Sequence, residues 1–363
     1  MIRRLRLVVV VARPAVCVLL AMYAGIGFFQ SGHREDFWLL FRVLLAVAGF
    51  LAFSVACNDI ADERIDRVNL GGDRRRPLVT GFGRRTEIRV IGATAAIVAL
   101  AASASLGWLA LLVLSCGLVL SAGYSIRPVR IADRGAVASL MLPACYVAVP
   151  YLLGHIAGGS TSSVWLLAGL YVGFIGRILL KDFRDVRGDA LFGKRTFLVR
   201  HGRRWTCVFS ACCLAIGGAL LVATVSAPSA ILVTGYLGGT AASIALLFAL
   251  AKDRGPRRDE AVISAIAIVG RGVLLVLLMH LGALTVHLAA LPYNLLQATL
   301  IAITATQAVM MFRSGPPFPV VARFRQDMAP WTTSATSSVK GPDGARTAVT
   351  GRDPGPLPLL VER

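Results

Sequence analysis

Two aspartate clusters are the part of this 363-residue sequence best suited to chemistry. The clusters are Asp59, Asp62 and Asp66, and then Asp182, Asp185 and Asp189. In both clusters the offsets are 0, 3 and 7, which on an α-helix fall at about 0°, 300° and 340°. Each cluster therefore predicts three like charges on one helix face, which repel one another unless a cation lies between them.

A hard divalent cation would relieve this repulsion. Mg²⁺ takes oxygen ligands, commonly one or two carboxylates completed by water and substrate phosphate. Basic side chains follow both clusters, and these are Arg74, Arg75 and Arg76 after the first and Lys194 and Arg195 after the second. Such cations neutralise phosphate oxygens. The two clusters together predict a site for a magnesium-bound diphosphate.

Long apolar blocks must position these clusters. The chain is 56% hydrophobic and 16% charged, with a mean hydropathy of +0.71, whereas soluble domains average about 25% charged residues. Blocks of roughly 20 apolar residues can cross a ~30 Å hydrocarbon core as helices. Ten such blocks are predicted, at 7–29, 37–57, 88–105, 107–124, 135–156, 163–181, 205–225, 230–251, 262–289 and 292–312. The fold class is therefore an all-α, polytopic transmembrane helical bundle.

The placement of basic residues orients this bundle. With the N-terminus inside, 33 of the 38 Lys and Arg residues lie on the inner side and only Arg34 lies in an outer loop. Basic residues mark the cytoplasmic side, so both aspartate clusters are predicted to face the cytoplasm. If the cell is bacterial, the predicted location of the protein is the inner membrane. The net charge of +19 then reflects topology and attraction to anionic lipids and phosphates, and it is not a nucleic-acid signal.

The chain divides into a membrane domain, 1–312, and a tail, 313–363. The tail is rich in Pro, Gly, Ser and Thr and has no sustained apolar period. Such a composition buries too little apolar surface to fold. We expect a mostly disordered cytoplasmic tail.

At the quoted motifs the chain resembles the UbiA family of intramembrane prenyltransferases. Asn58, Asp59, Asp62 and Asp66 match the family's NDxxDxxxD motif, with Arg76-Pro77 trailing it. Asp182, Asp185 and Asp189 match its DxxDxxxD motif, followed by Gly-Lys-Arg-Thr at 193–196. The run from Tyr124 to Arg130 and the pair Arg13-Pro14 are similar to two further family elements. The resemblance covers roughly residues 10–290.

The resemblance implies a bundle, usually of nine spans, around a central cavity that opens laterally to lipid. Mg²⁺ is the implied cofactor, and its implied ligands are Asp59, Asp62, Asp66, Asp182, Asp185 and Asp189. Asp59, Asp62, Asp182 and Asp185 are the implied catalytic residues. The implied substrate-binding residues are Asn58, Arg76, Tyr124, Arg127, Arg130, Lys181, Lys194 and Arg195.

The function that follows is transfer of an isoprenoid group from a polyprenyl diphosphate to an aromatic or lipid-like acceptor, with release of pyrophosphate. A terpene cyclase on the same scaffold is one alternative. A transporter of an anionic lipid or phosphate compound is another, although transporters place coupling charges near the bilayer midplane. Two interpretations of Arg177 also stay open. It is either an intramembrane charge with a functional role or a side chain that snorkels to the interface.

Overall fold

The computed structural model describes residues 2–32, 36–70, 76–159, 165–184, 186 and 196–316, and these contain helices and no strands. The helices are α1 Ile2–Ala12, α2 Pro14–Gln30, α3 Phe37–Ala61, α4 Glu63–Leu70, α5 Arg85–Ala104, α6 Trp108–Ser125, α7 Ala136–Pro143, α8 Val149–Ala157, α9 Trp165–Ile178, α10 Phe197–Thr224, α11 Ala230–Ala251, α12 Pro256–Thr285 and α13 Ala290–Ser314. Short 3₁₀ turns occupy Ile131–Asp133 and Leu179–Lys181, and a π-helical turn, Ala144–Ala148, joins α7 to α8.

Each of the ten apolar blocks corresponds to helical structure. Among the described residues, eight helical stretches are long and apolar enough to cross a membrane, and one of them, Val137–Ala157, runs through α7, the π-helical turn and α8. The bent pair α1 and α2 raises this number to nine. The sixth block accounts for the difference from ten, because its α-helix, α9, has only 14 residues before the 3₁₀ turn begins. The predicted all-α, multi-pass membrane bundle is confirmed.

The bend between α1 and α2 follows from the pair Arg13-Pro14. The two helices meet at 48°, and Pro14 begins α2 while Arg13 adopts a left-handed conformation at φ 44°. Proline has no backbone N–H to donate and disfavours helical geometry in the residue before it. The break leaves Arg13 at a helix junction, from which its side chain reaches the end of α3.

Close helix contacts hold the first half of the bundle together. The Cα atoms of Gly27 in α2 and Gly154 in α8 face the partner backbone so closely that an added Cβ would lie 2.1 Å from the carbonyl oxygen of Tyr151 and 2.0 Å from that of Ala24, respectively. Small residues allow such backbone approach between membrane helices. One buried apolar cluster joins α1, α2, α3, α5, α6 and α8. A second joins α2 and α8 to α9, α10, α11 and α12, and partly buried residues of α13 pack against it.

Candidate active site

The first aspartate cluster lies at the junction of α3 and α4. The prediction of one continuous helix through it is wrong, because α3 ends at Ala61 and Asp62 leaves helical geometry at φ −99° and ψ 8°. The backbone hydrogen bonds from Asp62 N to Asn58 O and from Asp66 N to Asp62 O, both 2.8 Å, continue across the break. Asp66 lies in the first turn of α4, where the macrodipole favours negative charge. The cluster still packs inward, with Asp59, Asp62 and Asp66 only 3%, 8% and 8% exposed.

Two arginines from separate parts of the chain hold Asp59. Arg13 Nη2 and Arg76 Nη1 donate to Asp59 Oδ1 over 2.5 and 2.6 Å. Arg76 Nη1 also lies 3.0 Å from Asp66 Oδ2. Charge-assisted contacts of this kind stabilise a buried carboxylate that would otherwise be costly to desolvate. Arg76 therefore ties the beginning and end of the cluster together.

Asp62 is held from a third direction. Arg130 Nη2 donates to Asp62 Oδ1 over 2.6 Å, and Asn58 Nδ2 donates to Asp62 Oδ2 over 2.8 Å. Arg130 Nε also donates to Asp133 Oδ2 over 2.7 Å. The segment after α6 is thereby fastened to the first cluster.

The second cluster begins where α9 tightens into the 3₁₀ turn Leu179–Lys181. Asp182 follows this turn with helical backbone angles and is 6% exposed. Asp185, Asp189, Lys194 and Arg195 lie outside the described residues, so their roles stay predictions.

One cavity brings the two clusters together. Its polar lining consists of Asn58, Asp62, Asp66, Arg76, Tyr124, Ser139, Lys181, Asp182 and Thr196. Its remaining walls are Ile65, Ala132, Gly135, Ala138, Leu142 and Ile178. Carboxylates from both motifs therefore face the same space, beside Arg76 and Lys181.

Some predicted site residues lie away from this lining. Asp59 is behind it, between Arg13 and Arg76. Arg127 is exposed and does not line the cavity, although the cavity includes Tyr124 and the nearby Arg130 contacts Asp62. The sequence pattern placed Arg127 and Arg130 together, but the turn after α6 separates them.

Other residues at the site were not predicted to bind metal or substrate. Arg13 contacts Asp59. The sequence feature that could have identified it is a charged residue within an apolar block, directly before a proline. Ser139 on α7 and Thr196 before α10 line the cavity. The wall formed by α7 consists of small and aliphatic residues, whose types carry no chemical signal.

Glu63 supports the site without entering the cavity. Arg85 Nε and Arg67 Nη2 donate to its two carboxylate oxygens over 2.6 and 2.7 Å. Burial alone would raise the pKa of this carboxyl, but the two arginines outweigh burial and hold the pKa below its ordinary value. Glu63 therefore stays ionised and anchors α4 to the start of α5.

Arg177 lies inside the bundle. Its Nη1 donates to Gly270 O and its Nη2 to the Tyr23 hydroxyl, each over 2.8 Å. A Cβ at position 270 would lie 2.6 Å from Arg177 Nη1, so glycine makes room for the guanidinium. These contacts link α9 to α2 and α12 and favour an internal role over snorkelling to the interface.

The residues of the cavity suit a magnesium ion in type. Among the described residues, no three His, Cys, Asp or Glu side chains are arranged as a preformed metal cage. Mg²⁺ does not need one, because it commonly binds through one or two carboxylates and completes its shell with water and substrate phosphate. Asp62, Asp66 and Asp182 are the carboxylates that line the cavity and could supply those ligands.

The fold and the site together define a multi-pass helical membrane protein with an aspartate-rich cavity at its helix ends, lined also by Arg76 and Lys181. The chain belongs to the UbiA prenyltransferase family, whose family model matches residues 18–269. The predicted family, and with it the class of prenyltransferases, is confirmed.

Curated relatives fall in two groups. The chain is 28% identical over 242 residues to digeranylgeranylglyceryl phosphate synthase of Methanopyrus kandleri, an alignment that covers 66% of this chain and 82% of that protein. It is 26% identical over 172 residues to the bacteriochlorophyll synthase 34 kDa chain of Chloroflexus aurantiacus, which covers 45% of this chain. This alignment spans about half of that relative, 53%.

Solved structures show the same fold. A UbiA homologue from Archaeoglobus fulgidus bound to GPP and Mg²⁺ superposes with a TM-score of 0.60 at 16% identity, covering 76% of this chain and 99% of that one. A structure of digeranylgeranylglyceryl phosphate synthase gives a TM-score of 0.59 at 20% identity, covering 77% and 99%.

Proposed function

We propose that this protein transfers a prenyl group from a magnesium-bound polyprenyl diphosphate to a hydrophobic acceptor and releases pyrophosphate. The observation that carries the proposal is the shared cavity, in which Asp62 and Asp66 of the first motif face Asp182 of the second and the preceding Lys181. The A. fulgidus homologue was solved bound to GPP and Mg²⁺, which supports a magnesium-bound diphosphate donor.

The reaction breaks the bond between the allylic carbon and the diphosphate oxygen. The electron pair of that bond leaves with pyrophosphate, so negative charge grows on the leaving group while an allylic cation forms. Arg76 and Lys181 are placed to stabilise the growing charge, and Mg²⁺ held by the cavity carboxylates supplies Lewis-acid stabilisation when bound. The acceptor attacks the cation and loses a proton. Apolar walls such as Leu142 and Ile178 limit water that would otherwise trap the cation.

The relatives' names support a choice of acceptor class. These name chlorophyll-type and glyceryl phosphate products, so we propose an acceptor of tetrapyrrole or glycerol-phosphate lipid type. Purified protein, Mg²⁺ and a series of labelled prenyl diphosphates would be incubated with both acceptor types and with an aromatic acid. We expect release of pyrophosphate and a prenylated product with one of the first two.

The same assay tests the alternatives. A cyclic hydrocarbon and pyrophosphate formed from the donor alone would show a terpene cyclase. Vesicle uptake of an intact phosphate compound, without pyrophosphate release, would show a transporter and contradict the proposal.

The proposed orientation places both aspartate motifs on the cytoplasmic side. In a background that lacks the seven native cysteines, cysteines at Thr80 and Gly188 should resist an impermeant thiol reagent in intact cells and react after permeabilisation. Thr80 is exposed beyond the first motif, and Gly188, outside the described residues, falls within the second. The outer control is Ser105→Cys between α5 and α6, which should react in intact cells. Labelling of Thr80 and Gly188 from opposite sides would contradict a shared site.

The proposed tail, 313–363, is expected to be dispensable for catalysis. Its residues beyond Pro316 lie outside those described, and its composition gives it little apolar surface with which to pack. A chain truncated after residue 320 should insert normally and release pyrophosphate within about twofold of the full-length rate, since no cavity residue is removed. A truncated protein that inserts but is inactive would show that the tail contributes to the site.

A further inference from the structure

A second cavity lies beside α12, the helix whose Gly270 accepts from Arg177. It is a groove of about 440 Å³, within the range of roughly 300–1,000 Å³ that small-molecule sites occupy. Its walls come from α11, α12 and α13, and they are almost entirely apolar. The UbiA family model matches residues 18–269, which include all of α11 and the first part of α12, whereas α13 lies beyond this range. The groove is therefore completed by a helix beyond the family match.

The groove exists because α11 and α13 both pack on α12 and only slightly on each other. Glycines bring the helices close at its floor: a Cβ at Gly239 would lie 2.5 Å from Val273 Cγ1, and one at Gly272 would lie 2.2 Å from Thr304 Cγ2. At Gly238, by contrast, an added Cβ would meet nothing within 4 Å. From Thr234 to Leu246 the groove follows about three turns of α11, or roughly 18 Å.

One end of the groove carries positive charge. Phe312 lines this end, and the Arg258 guanidinium lies 3.8 Å above its ring and donates from Nη1 to its carbonyl oxygen over 2.6 Å. Further exposed cations surround this end of the helices, and these are Lys252, Arg254, Arg257 and Arg313. Three acids neighbour these cations: Asp253 and Asp259 pair with Arg203, and Glu260 pairs with Arg184.

We propose that this groove binds one hydrocarbon chain of an anionic membrane phospholipid, with the lipid phosphate among the basic residues near Phe312. The complementarity has two parts, an apolar channel in a membrane-spanning region and a cationic cluster at one of its ends. Basic residues near a membrane surface attract anionic lipid headgroups. The lipid fills the space between α11 and α13 and fastens α13 to the bundle, without reacting.

Lipid binding to the full-length protein in a neutral detergent tests this proposal. Phosphatidylglycerol and phosphatidylcholine with identical acyl chains would be titrated, with bound lipid counted by native mass spectrometry and Tm followed in parallel. We expect one phosphatidylglycerol to bind at least tenfold more tightly than phosphatidylcholine and to raise Tm. Replacing Arg254 and Arg257 by glutamine should remove most of this preference.

Two leucine substitutions on α11 separate the groove from the general lipid surface. Gly238→Leu fills the groove and should abolish the tight phosphatidylglycerol site, whereas Ala241→Leu, at an exposed position outside the lining, should leave it intact. Both variants should keep pyrophosphate release, which shows that they are folded. Equal binding of the two lipids to the native protein, or undiminished tight binding by Gly238→Leu, overturns the proposal. Conversion of phosphatidylglycerol to a prenylated product would also overturn it, because the lipid would then be a substrate.

Discussion

Asp62→Ala is expected to lower the rate of pyrophosphate release by on the order of 10²–10³-fold, while the protein still inserts and purifies. Asp62 faces the cavity and is the point at which Arg130 and Asn58 converge. Removing one group that holds charge in a preorganised site commonly has an effect of this size. The loss would leave Arg130 without one of its two carboxylate partners and any bound Mg²⁺ with one fewer potential ligand.

A matched control separates catalysis from anchoring of the segment after α6. Asp133 is the other partner of Arg130, at 2.7 Å, but its side chain is 41% exposed and does not line the cavity. Asp133→Ala should therefore keep activity within a few-fold of the native protein. Asp182→Ala should reproduce the large loss from the opposite wall. Near-native turnover in both Asp62→Ala and Asp182→Ala would contradict the assignment of the cavity.

The helical bundle was predictable because each of its helices is encoded by a long, continuous run of apolar residues. A run of about 20 apolar residues has few structural outcomes other than a membrane helix, and all ten predicted blocks are helical. What the runs do not encode is how each helix is broken. The bend at Arg13-Pro14 has a local cause in the proline, but nothing in the apolar run of the sixth block marks the 3₁₀ turn Leu179–Lys181. The run therefore predicted a full tenth span where the described residues form a 14-residue α-helix.

The site was predictable where residue type and spacing both carried information. Asp62, Asp66 and Asp182 were named from their offsets, and they line one cavity. Arg13 and Ser139 could not be identified from spacing. Arg13 lies 46 residues before Asp59, and nothing in the local sequence distinguishes Ser139 from other serines on helices. The break at Asp62 was also missed, since a helical wheel assumes a continuous helix.

The way in which Arg76 is used shows why spacing alone could not give the geometry. The sequence indicated a cation near a phosphate, whereas its Nη1 atom lies between Asp59 and Asp66 while the side chain also lines the cavity. One arginine can therefore order the carboxylates and face the diphosphate. Such a double role depends on tertiary contacts across 17 and 10 residues of chain, which no local pattern specifies.

Removing divalent metal is expected to abolish pyrophosphate release completely, and added Mg²⁺ or Mn²⁺ should restore it. The diphosphate carries several negative charges into a cavity lined by Asp62, Asp66 and Asp182. Without a cation these carboxylates would repel it, by about 4 kcal/mol for two unit charges 4 Å apart at an effective dielectric of 20. Ca²⁺ should restore activity poorly, because it prefers more ligands and longer distances than Mg²⁺.

Stability gives the control for this experiment. Since the described residues contain no preformed cage of three metal-binding side chains, chelation by EDTA should leave Tm of the protein without donor unchanged. The increase in Tm on adding a prenyl diphosphate should instead require Mg²⁺, because metal and donor bind together and ligand binding to the folded state stabilises it. Turnover that survives thorough chelation, or donor stabilisation that is independent of metal, would contradict the proposed magnesium-diphosphate site. A fall in Tm caused by EDTA alone would assign the metal a structural role in place of a catalytic one.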